Sequence, residues 1–268
     1  MLLSSLSPRL QASSSRLAVV LRHHPQPKYP PAAMASHYSS PTSRDQSPSP
    51  LTGIPLRLMP LGGSITQGVG SSDSNGYRKH LFDLLQSSGC NIDMVGSRKT
   101  GSMASNSHEG WRGFRLDEIE RKARRSVPVL QPDLFTVNAG SNDCLQRFEI
   151  DVFGERMGAL LAYLWLVAPR STVILSTLVI NADGGTDEVV RRVNEQIREV
   201  VTREAAAGKR IVLADMYSKD GPGLEDLGAD GTHPDDVGYE KMARIWFDSI
   251  HRAAVSGFFI SHHQTSNQ

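Results

Sequence analysis

The sequence predicts an α/β fold, a three-layer α/β/α sandwich with a parallel sheet at its centre. Short apolar runs alternate along the chain with segments in which apolar residues recur at helical spacing. Strands that alternate with helices pair in parallel and are covered on both faces. No internal repeat is visible. We therefore expect a five-stranded parallel sheet in one domain, residues 54–257.

The elements follow from these runs in order. The predicted strands are 56–61, 92–95, 134–137, 172–175 and 211–214. The apolar spacing predicts helices around residues 77–85, 116–123, 152–164, 189–201 and 242–250. Asn75 or Ser74 is expected to cap the first helix. Pro128 and Pro169 are expected to end the second and third helices, because proline removes a helical hydrogen bond.

Composition excludes several classes of protein. The net charge of +1 gives no electrostatic argument for binding nucleic acid or an anionic membrane. No apolar run approaches the roughly eighteen residues of a membrane-spanning helix. The two cysteines, Cys90 and Cys144, could form one disulfide, and no Cys/His spacing predicts structural zinc. We expect no nucleic-acid partner, no membrane span, no metal and no cofactor.

The two ends of the chain differ from its middle. Residues 1–53 are rich in Ser and Pro, and the first acidic residue is Asp45, so a disordered segment is predicted. Scattered arginines without acids are also typical of a mitochondrial transit peptide, and Met34 is an alternative start. The apolar run 17–21 is too short for a secretory signal. Residues 258–268 are predicted to form a flexible tail.

Four polar residues follow three of the predicted strands. Ser64 comes after the first strand, Asn142 after the third, and Asp230 and His233 after the fifth. Because the carboxyl ends of parallel strands meet at one edge of a sheet, these side chains should converge there. A serine needs an imidazole base, and the imidazole needs a carboxylate on its other nitrogen. The order Ser, Asp, His is a known order for such a triad, and Asn142 could help to bind an oxyanion.

Each of these residues also has an ordinary structural explanation. Gly and Ser, which form the sequence that ends at Ser64, are common in turns, and so is Asn, the residue type of Asn142. Asp230 could be a charge at a helix terminus. His233 could simply precede the last helix, with Asp235 or Asp236 as its cap. Three separate strand ends carry the three required groups, and this coincidence favours catalysis. Asp226 competes with Asp230 for the role of the orienting carboxylate.

These motifs resemble those of the SGNH hydrolases, also called the GDSL esterase/lipase superfamily. The similarity covers residues 54–257 and implies a flavodoxin-like fold with Ser64, Asp230 and His233 as the catalytic residues. It implies an oxyanion hole formed by Ser64, Gly113 and Asn142. In the sequence 108–113, either Gly110 or Gly113 could match the family glycine, and we choose Gly113 because a helix follows it as in the family.

Finer motifs look like those of carbohydrate esterase family 3. They lie at residues 59–66, 76–78, 95–97 and 108–110. Members of this branch typically remove acetyl groups from sugar hydroxyls, and the likeness would suggest secretion. One departure is Gly63, which stands where the family usually has Asp and alters the local hydrogen bonding.

The sequence therefore predicts a serine esterase that hydrolyses short-chain acyl esters of carbohydrates. A lipase, lysophospholipase or thioesterase on the same scaffold is the first alternative, since the fold does not fix the substrate. A non-catalytic module that binds an anion or a carbohydrate is the second, with the Gly62-Gly63-Ser64 turn at a helix N-terminus. The expected partner is a small-molecule or carbohydrate ester, and the oligomeric state is left open.

Overall fold

A mostly parallel sheet forms the centre of the structure, a computed structural model that describes residues 48–259. Its strands are β1 (Pro55–Gly62), β2 (Asn91–Met94), β3 (Arg98–Lys99), β4 (Ser107–Gly110), β5 (Leu134–Asn138), β6 (Thr172–Ser176) and β7 (Ile211–Ala214). Most of the predicted disordered segment and of the predicted C-terminal tail lies outside the described residues. The predicted division into domains therefore stays a prediction.

The strands follow the order β3-β4-β1-β5-β6-β7. β2 pairs in parallel with the first half of β1, and β4 pairs in parallel with its end. On the other side of β1, the strands β5, β6 and β7 add in parallel. The carboxyl ends of β1, β5, β6 and β7 therefore share one edge of the sheet, as predicted.

Within residues 48–259 the sheet has seven strands, so the predicted number of five was wrong. The additional strands are β3 and β4, which pair with each other in antiparallel fashion. Neither has an apolar run. In β4 the side chains of His108 and Glu109 are fully buried and hydrogen-bonded instead, so apolar spacing gave no signal there.

Seven helices cover the described part of the sheet. They are α1 (Ser64–Gln67), α2 (Tyr77–Ser87), α3 (Leu116–Leu130), α4 (Ser141–Gln146), α5 (Phe153–Val167), α6 (Gly184–Ala206) and α7 (Asp236–Val255). Two single turns of 3-10 helix lie at Ile150–Val152 and Leu224–Asp226. Within residues 48–259, none of these helices has the length and apolar character to cross a bilayer.

Two hydrophobic cores lie on opposite faces of the sheet. One packs α3, α5 and α6 against residues such as Met59, Phe135 and Val173. The other packs α2 and α7 against residues such as Leu58 and Leu134. Neighbouring residues of one strand, such as Leu58 and Met59, therefore enter different cores, as the alternation of a strand requires. The predicted three-layer sandwich is confirmed.

Several local predictions need correction. α3 runs through Pro128 to Leu130, because the carbonyl of Arg124 that proline leaves without a donor accepts a hydrogen bond from the Tyr163 hydroxyl, 3.3 Å away. The N-cap of α2 is Gly76 rather than Asn75 or Ser74.

The two cysteines are both buried free thiols, so the disulfide left open by the sequence is not formed in the structure. Leu51, three residues before the predicted start of the domain, is fully buried in the core beneath α2 and α7. A chain shortened to the folded part should therefore keep Leu51.

Candidate active site

Ser64 lies where β1 ends and is the first residue of α1. Gly62, two residues earlier, pairs with Asn138 of β5, and a Cβ at this glycine would lie 2.1 Å from the Asn138 carbonyl oxygen. Only glycine allows this close approach of the two strands. The sharp end of β1 leaves the Ser64 side chain at the carboxyl edge of the sheet, where the sequence places it.

The Ser64 hydroxyl is hydrogen-bonded to a histidine that is distant in sequence. Its Oγ is 2.8 Å from Nε2 of His233, and Nδ1 of His233 is 2.6 Å from Oδ2 of Asp230. The turn between the two acid–base residues uses Gly231 at φ +66°, a backbone conformation that favours glycine. The structure thus brings together the three predicted catalytic residues in one chain of hydrogen bonds.

The Asp230 carboxylate determines which ring nitrogen of His233 carries a proton. Burial raises its pKa, but hydrogen bonds from the backbone N–H groups of His233 and Thr232 and from the His233 ring outweigh burial and hold the pKa at about 2. An ionised carboxylate only accepts hydrogen bonds, so Nδ1 of His233 donates to it. Nε2 is then free to accept the proton of Ser64.

The loop between β6 and α6 is hydrogen-bonded to the turn between Asp230 and His233. Ala182 N donates to Gly231 O at 2.8 Å, and Asn181 Nδ2 donates to Thr232 Oγ1 at 3.1 Å. Asn181 is itself buried, and its backbone N–H donates to the Asp187 carboxylate at 3.0 Å. Sequence reasoning missed these residues, because nothing in their spacing relates them to the turn some fifty residues later in the chain.

Asn142 and Gly113, the other predicted oxyanion donors, lie on two neighbouring elements. Asn142 belongs to α4, and its Nδ2 donates to the Phe114 carbonyl at 3.0 Å. A Cβ on Gly63 would lie 3.6 Å from the same nitrogen, so the amide lies beside the serine's neighbour. One N–H of the Asn142 amide is thus used for support, and the second remains for a ligand.

The two candidate glycines differ in whether their N–H is available. Gly110 N donates to Nδ1 of the buried His108 at 2.9 Å. Gly113, at φ +81° and exposed, has no acceptor for its N–H within residues 48–259. The geometry therefore favours Gly113 over Gly110 as an oxyanion donor.

Asp143 supports the elements that carry Asn142 and Gly113, the two predicted donors. It is fully buried, and its Oδ2 accepts from Leu116 N, the first residue of α3, at 2.9 Å. Arg156 Nη2 forms an ion pair with its Oδ1 at 2.8 Å. Burial raises the pKa of Asp143, against the effect of both partners. Together with the bond from Asn142 to Phe114, this contact holds α4 and the Gly113 loop as one unit, a role that the sequence did not reveal.

Asp226, the competitor for the role of the orienting carboxylate, lies in a different environment. Its buried side chain accepts from Gly223 N at 2.7 Å and forms an ion pair with Lys241 at 2.5 Å. Among the described residues, its carboxylate makes no contact with His233. The structure therefore gives Asp226 a place in fastening α7 to the preceding loop.

Comparisons with known proteins relate the chain to a family of acyl hydrolases. The sequence model of the GDSL-like Lipase/Acylhydrolase family matches residues 61–241. A multidomain esterase of Ruminococcus flavefaciens is 28% identical over 224 residues, which are 73% of this chain but only 28% of that protein. The chain thus spans less than a third of the length of this relative.

Two solved structures have the same fold. A family 3 carbohydrate esterase of Clostridium thermocellum is 25% identical, with a TM-score of 0.68 over 75% of this chain and 98% of the other. A carbohydrate esterase family 3 structure from Talaromyces cellulolyticus is 22% identical, with a TM-score of 0.67 over 77% of this chain and 100% of the other. The second supports the fold alone.

Proposed function

We propose that this chain, which belongs to the GDSL-like lipase/acylhydrolase family and is a carboxylic ester hydrolase, removes short acyl groups, above all acetyl, from carbohydrate hydroxyls. The observation that carries the proposal is the hydrogen-bonded chain from Ser64 through His233 to Asp230. A module that only binds an anion has no use for this arrangement. The similarity to family 3 carbohydrate esterases supports the choice of a sugar ester.

In the proposed mechanism, Ser64 Oγ attacks the acyl carbon while its proton moves to Nε2 of His233. The Asp230 carboxylate stabilises the imidazolium that forms. The oxyanion accepts hydrogen bonds from the backbone N–H groups of Ser64 and Gly113 and from Nδ2 of Asn142.

The tetrahedral intermediate then collapses. His233 returns the proton to the leaving sugar oxygen, and the acyl group stays on Ser64. Water, deprotonated by the same His233, then attacks the acyl carbon. The bond between this carbon and Ser64 Oγ breaks, His233 returns the proton to Oγ, and the acid is released. No step in this scheme needs a metal or a cofactor.

The space beside Ser64 supports a short acyl group. The depression there is lined by Gly63, Phe114, Gly140 and Asn142 among others, and its empty volume of about 200 Å³ includes the opening to solvent. Gly140 closes it against the Phe153 ring, since a Cβ at this glycine would lie 2.7 Å from that ring. A depression this small favours a short acyl group, because a long acyl chain would have to leave it.

Ester hydrolysis by the purified protein tests the proposal. We expect p-nitrophenyl acetate to be hydrolysed with a higher kcat/KM than p-nitrophenyl octanoate, and acetylated xylo-oligosaccharides to release acetate. The Ser64→Ala variant measures the uncatalysed background. A higher kcat/KM for the octanoate would replace the proposal by a lipase or thioesterase function. If the wild-type protein were inactive, a non-catalytic binding function would be the remaining alternative.

A further inference from the structure

We propose that a basic surface beside Ser64, formed by Arg98 and Lys122 over the Trp111 ring and by the neighbouring Arg112, binds the carboxylate of an acidic sugar. The preferred substrate would then be an acylated carbohydrate that contains a uronic acid. This inference rests on the proposed function and narrows its substrate class. We call these four residues the basic patch.

The basic patch is attached directly to the end of β1. Trp111 N donates to Gly62 O at 2.9 Å, and the Trp111 carbonyl oxygen would lie 4.0 Å from a Cβ on Gly63. The Trp111 ring stacks on Phe114 with 5.4 Å between centroids. Phe114 also lines the depression at Ser64. The patch therefore begins within one or two residues of the reacting groups.

Two cations lie over the indole ring of Trp111. The Arg98 guanidinium carbon is 4.5 Å from its centroid, and the Lys122 ammonium is 4.1 Å from it. Neither side chain forms an ion pair with a carboxylate in the described part of the chain. Because the cations cover the ring, the patch offers charge to a sugar rather than a bare stacking face.

Hydrogen bonds hold Arg98 in place and leave part of its guanidinium unused. Its Nη1 donates to Gly110 O at 3.0 Å and contacts Gln67 Oε1 at 3.5 Å. Its Nε and Nη2 have no acceptor within residues 48–259, and these two nitrogens form the fork that a carboxylate binds in bidentate fashion. Arg112, exposed, is tied only through its backbone N–H, 3.3 Å from the same Gln67 oxygen.

Nearby carboxylates do not neutralise the patch. Glu109 contacts Trp111, but it is fully buried, and its oxygens already accept from Ser97 N, Ser97 Oγ and Trp111 Nε1 at 2.9 to 3.0 Å. The acids at the start of α3 face Arg115 and Arg121. One buried carboxylate against three cations leaves an excess of positive charge that water and a ligand can reach.

A groove lies next to the patch, beside Gln67. Its lining includes Val69, Ser74, Thr100 and Gly101, and also Gln67, the residue that Arg98 contacts. Gly70 follows Val69 of this lining in the chain, and a Cβ on Gly70 would lie 3.0 Å from the Cβ of His233. His233 protonates the leaving sugar oxygen in the proposed mechanism, so a glycan that starts there can follow the groove to Arg98.

Matched oligosaccharides test this inference. The substrates are acetylated xylo-oligosaccharides with and without a glucuronic acid branch, compared as the ratio of their kcat/KM values at low salt. We expect the wild-type ratio to exceed one and to fall about three- to fivefold in Lys122→Met, the effect of one partly exposed ion pair. The ratio should also fall with added NaCl, because salt screens exposed charges.

Lys209→Met is the matched control. Lys209 also lies over a tryptophan, 5.5 Å from the Trp165 centroid, but it precedes β7 at the opposite edge of the sheet. We expect it to leave the ratio unchanged. Arg98→Lys, which keeps the charge but loses the fork, should lower the ratio less than Arg98→Gln.

A wild-type ratio of one or less, or a ratio that Lys122→Met leaves unchanged, would overturn the inference. Failure of the proposed function looks different, because then neither acetylated oligosaccharide is hydrolysed. Inhibition of p-nitrophenyl acetate hydrolysis by the unacetylated oligosaccharides is therefore measured as well. Stronger inhibition by the glucuronate-bearing compound, weakened in Lys122→Met, supports the basic patch independently of the acyl group; equal inhibition by both compounds contradicts it.

Discussion

Replacing Asp230 by asparagine should impair catalysis through the tautomer of His233. Oδ1 of Asp230 accepts the backbone N–H groups of Thr232 and His233 at 2.9 and 3.0 Å. Oδ2 accepts from Nδ1 of His233 at 2.6 Å. An asparagine keeps the shape of the side chain, but one of these two acceptors becomes an NH₂ donor.

Either orientation of the new amide is unfavourable. If the amide oxygen faces the two backbone N–H groups, its NH₂ faces Nδ1 of His233, and the ring proton moves from Nδ1 to Nε2. A protonated Nε2 cannot accept the proton of Ser64. The opposite orientation loses two hydrogen bonds of about 1 kcal/mol each. This loss lowers the fraction of molecules in the active orientation roughly 30-fold. A neutral acceptor also stabilises an imidazolium less than a carboxylate, by about 1 kcal/mol or more. We expect kcat to fall roughly 10²- to 10³-fold.

Steady-state hydrolysis of p-nitrophenyl acetate measures this loss, with thermal unfolding as the check on folding. Asp226→Asn is the control, because Asp226 is paired with Lys241 and not with His233. It should lower the melting temperature but change kcat less than tenfold. A larger loss of kcat in Asp226→Asn would show that the orienting carboxylate was misassigned. If neither variant lost more than about tenfold, the site would act as a Ser–His dyad.

Three further predictions follow from single features of the structure. Ser64→Ala should lower kcat about 10⁴-fold or more without unfolding; labelling of another serine by a fluorophosphonate would contradict this. Burial and the nearby Arg78 and Arg98 lower the pKa of His108 from 6.5 to about 3. The unfolded chain therefore binds the extra proton between these pH values. Urea unfolding should show stability falling as pH drops from 6.5 towards 3, by up to about 1.4 kcal/mol per unit. His108→Gln should flatten this slope, and an equal slope in both proteins would refute it. A chain starting at Pro48 should keep its melting temperature and activity, and loss of either would show that residues 1–47 contribute.

The sequence predicted the parts of the fold in which one physical signal dominates. β1, β5 and β6 are buried on both faces over most of their length, so their apolar runs stand out, and the helices of the two cores have clear spacing. Ser64, Asn142, Asp230 and His233 could be predicted to lie near one another because they follow strand ends, which parallel topology brings to one edge.

Elements built from polar contacts could not be predicted in this way. β4 has the sequence Ser-His-Glu-Gly and no alternation, yet it is buried, because Thr100 and Ser97 satisfy the side chains of His108 and Glu109. Pairwise bonds of this kind depend on the tertiary structure. For the same reason a single sequence predicts an end to α3 at Pro128, since the donor that lets the helix continue is on α5.

The supporting residues of the site escaped the sequence for a related reason. Asn181 and Asp143 act through hydrogen bonds to Thr232 and to the backbone of Leu116, and neither belongs to the predicted catalytic group. The choice between Gly110 and Gly113 also needed the structure, because it depends on which N–H group is already engaged. Local motifs identify reacting groups, whereas the groups that orient them are defined only by contact.

The proposed oxyanion hole does not require a side chain at position 63, where this chain has glycine. Gly63 has a negative φ of −92°, and a Cβ there would meet its nearest neighbour, the Asn142 amide nitrogen, at an ordinary contact distance of 3.6 Å. Neither strain nor crowding demands glycine here. The proposed oxyanion donors do not depend on a side chain at this position, because Asn142 is held by the Phe114 carbonyl and its neighbour Asp143 by the N-terminus of α3. The support that fixes these donors comes from α4 and the Gly113 loop, so the nucleophile's neighbour can lack a side chain without loosening them.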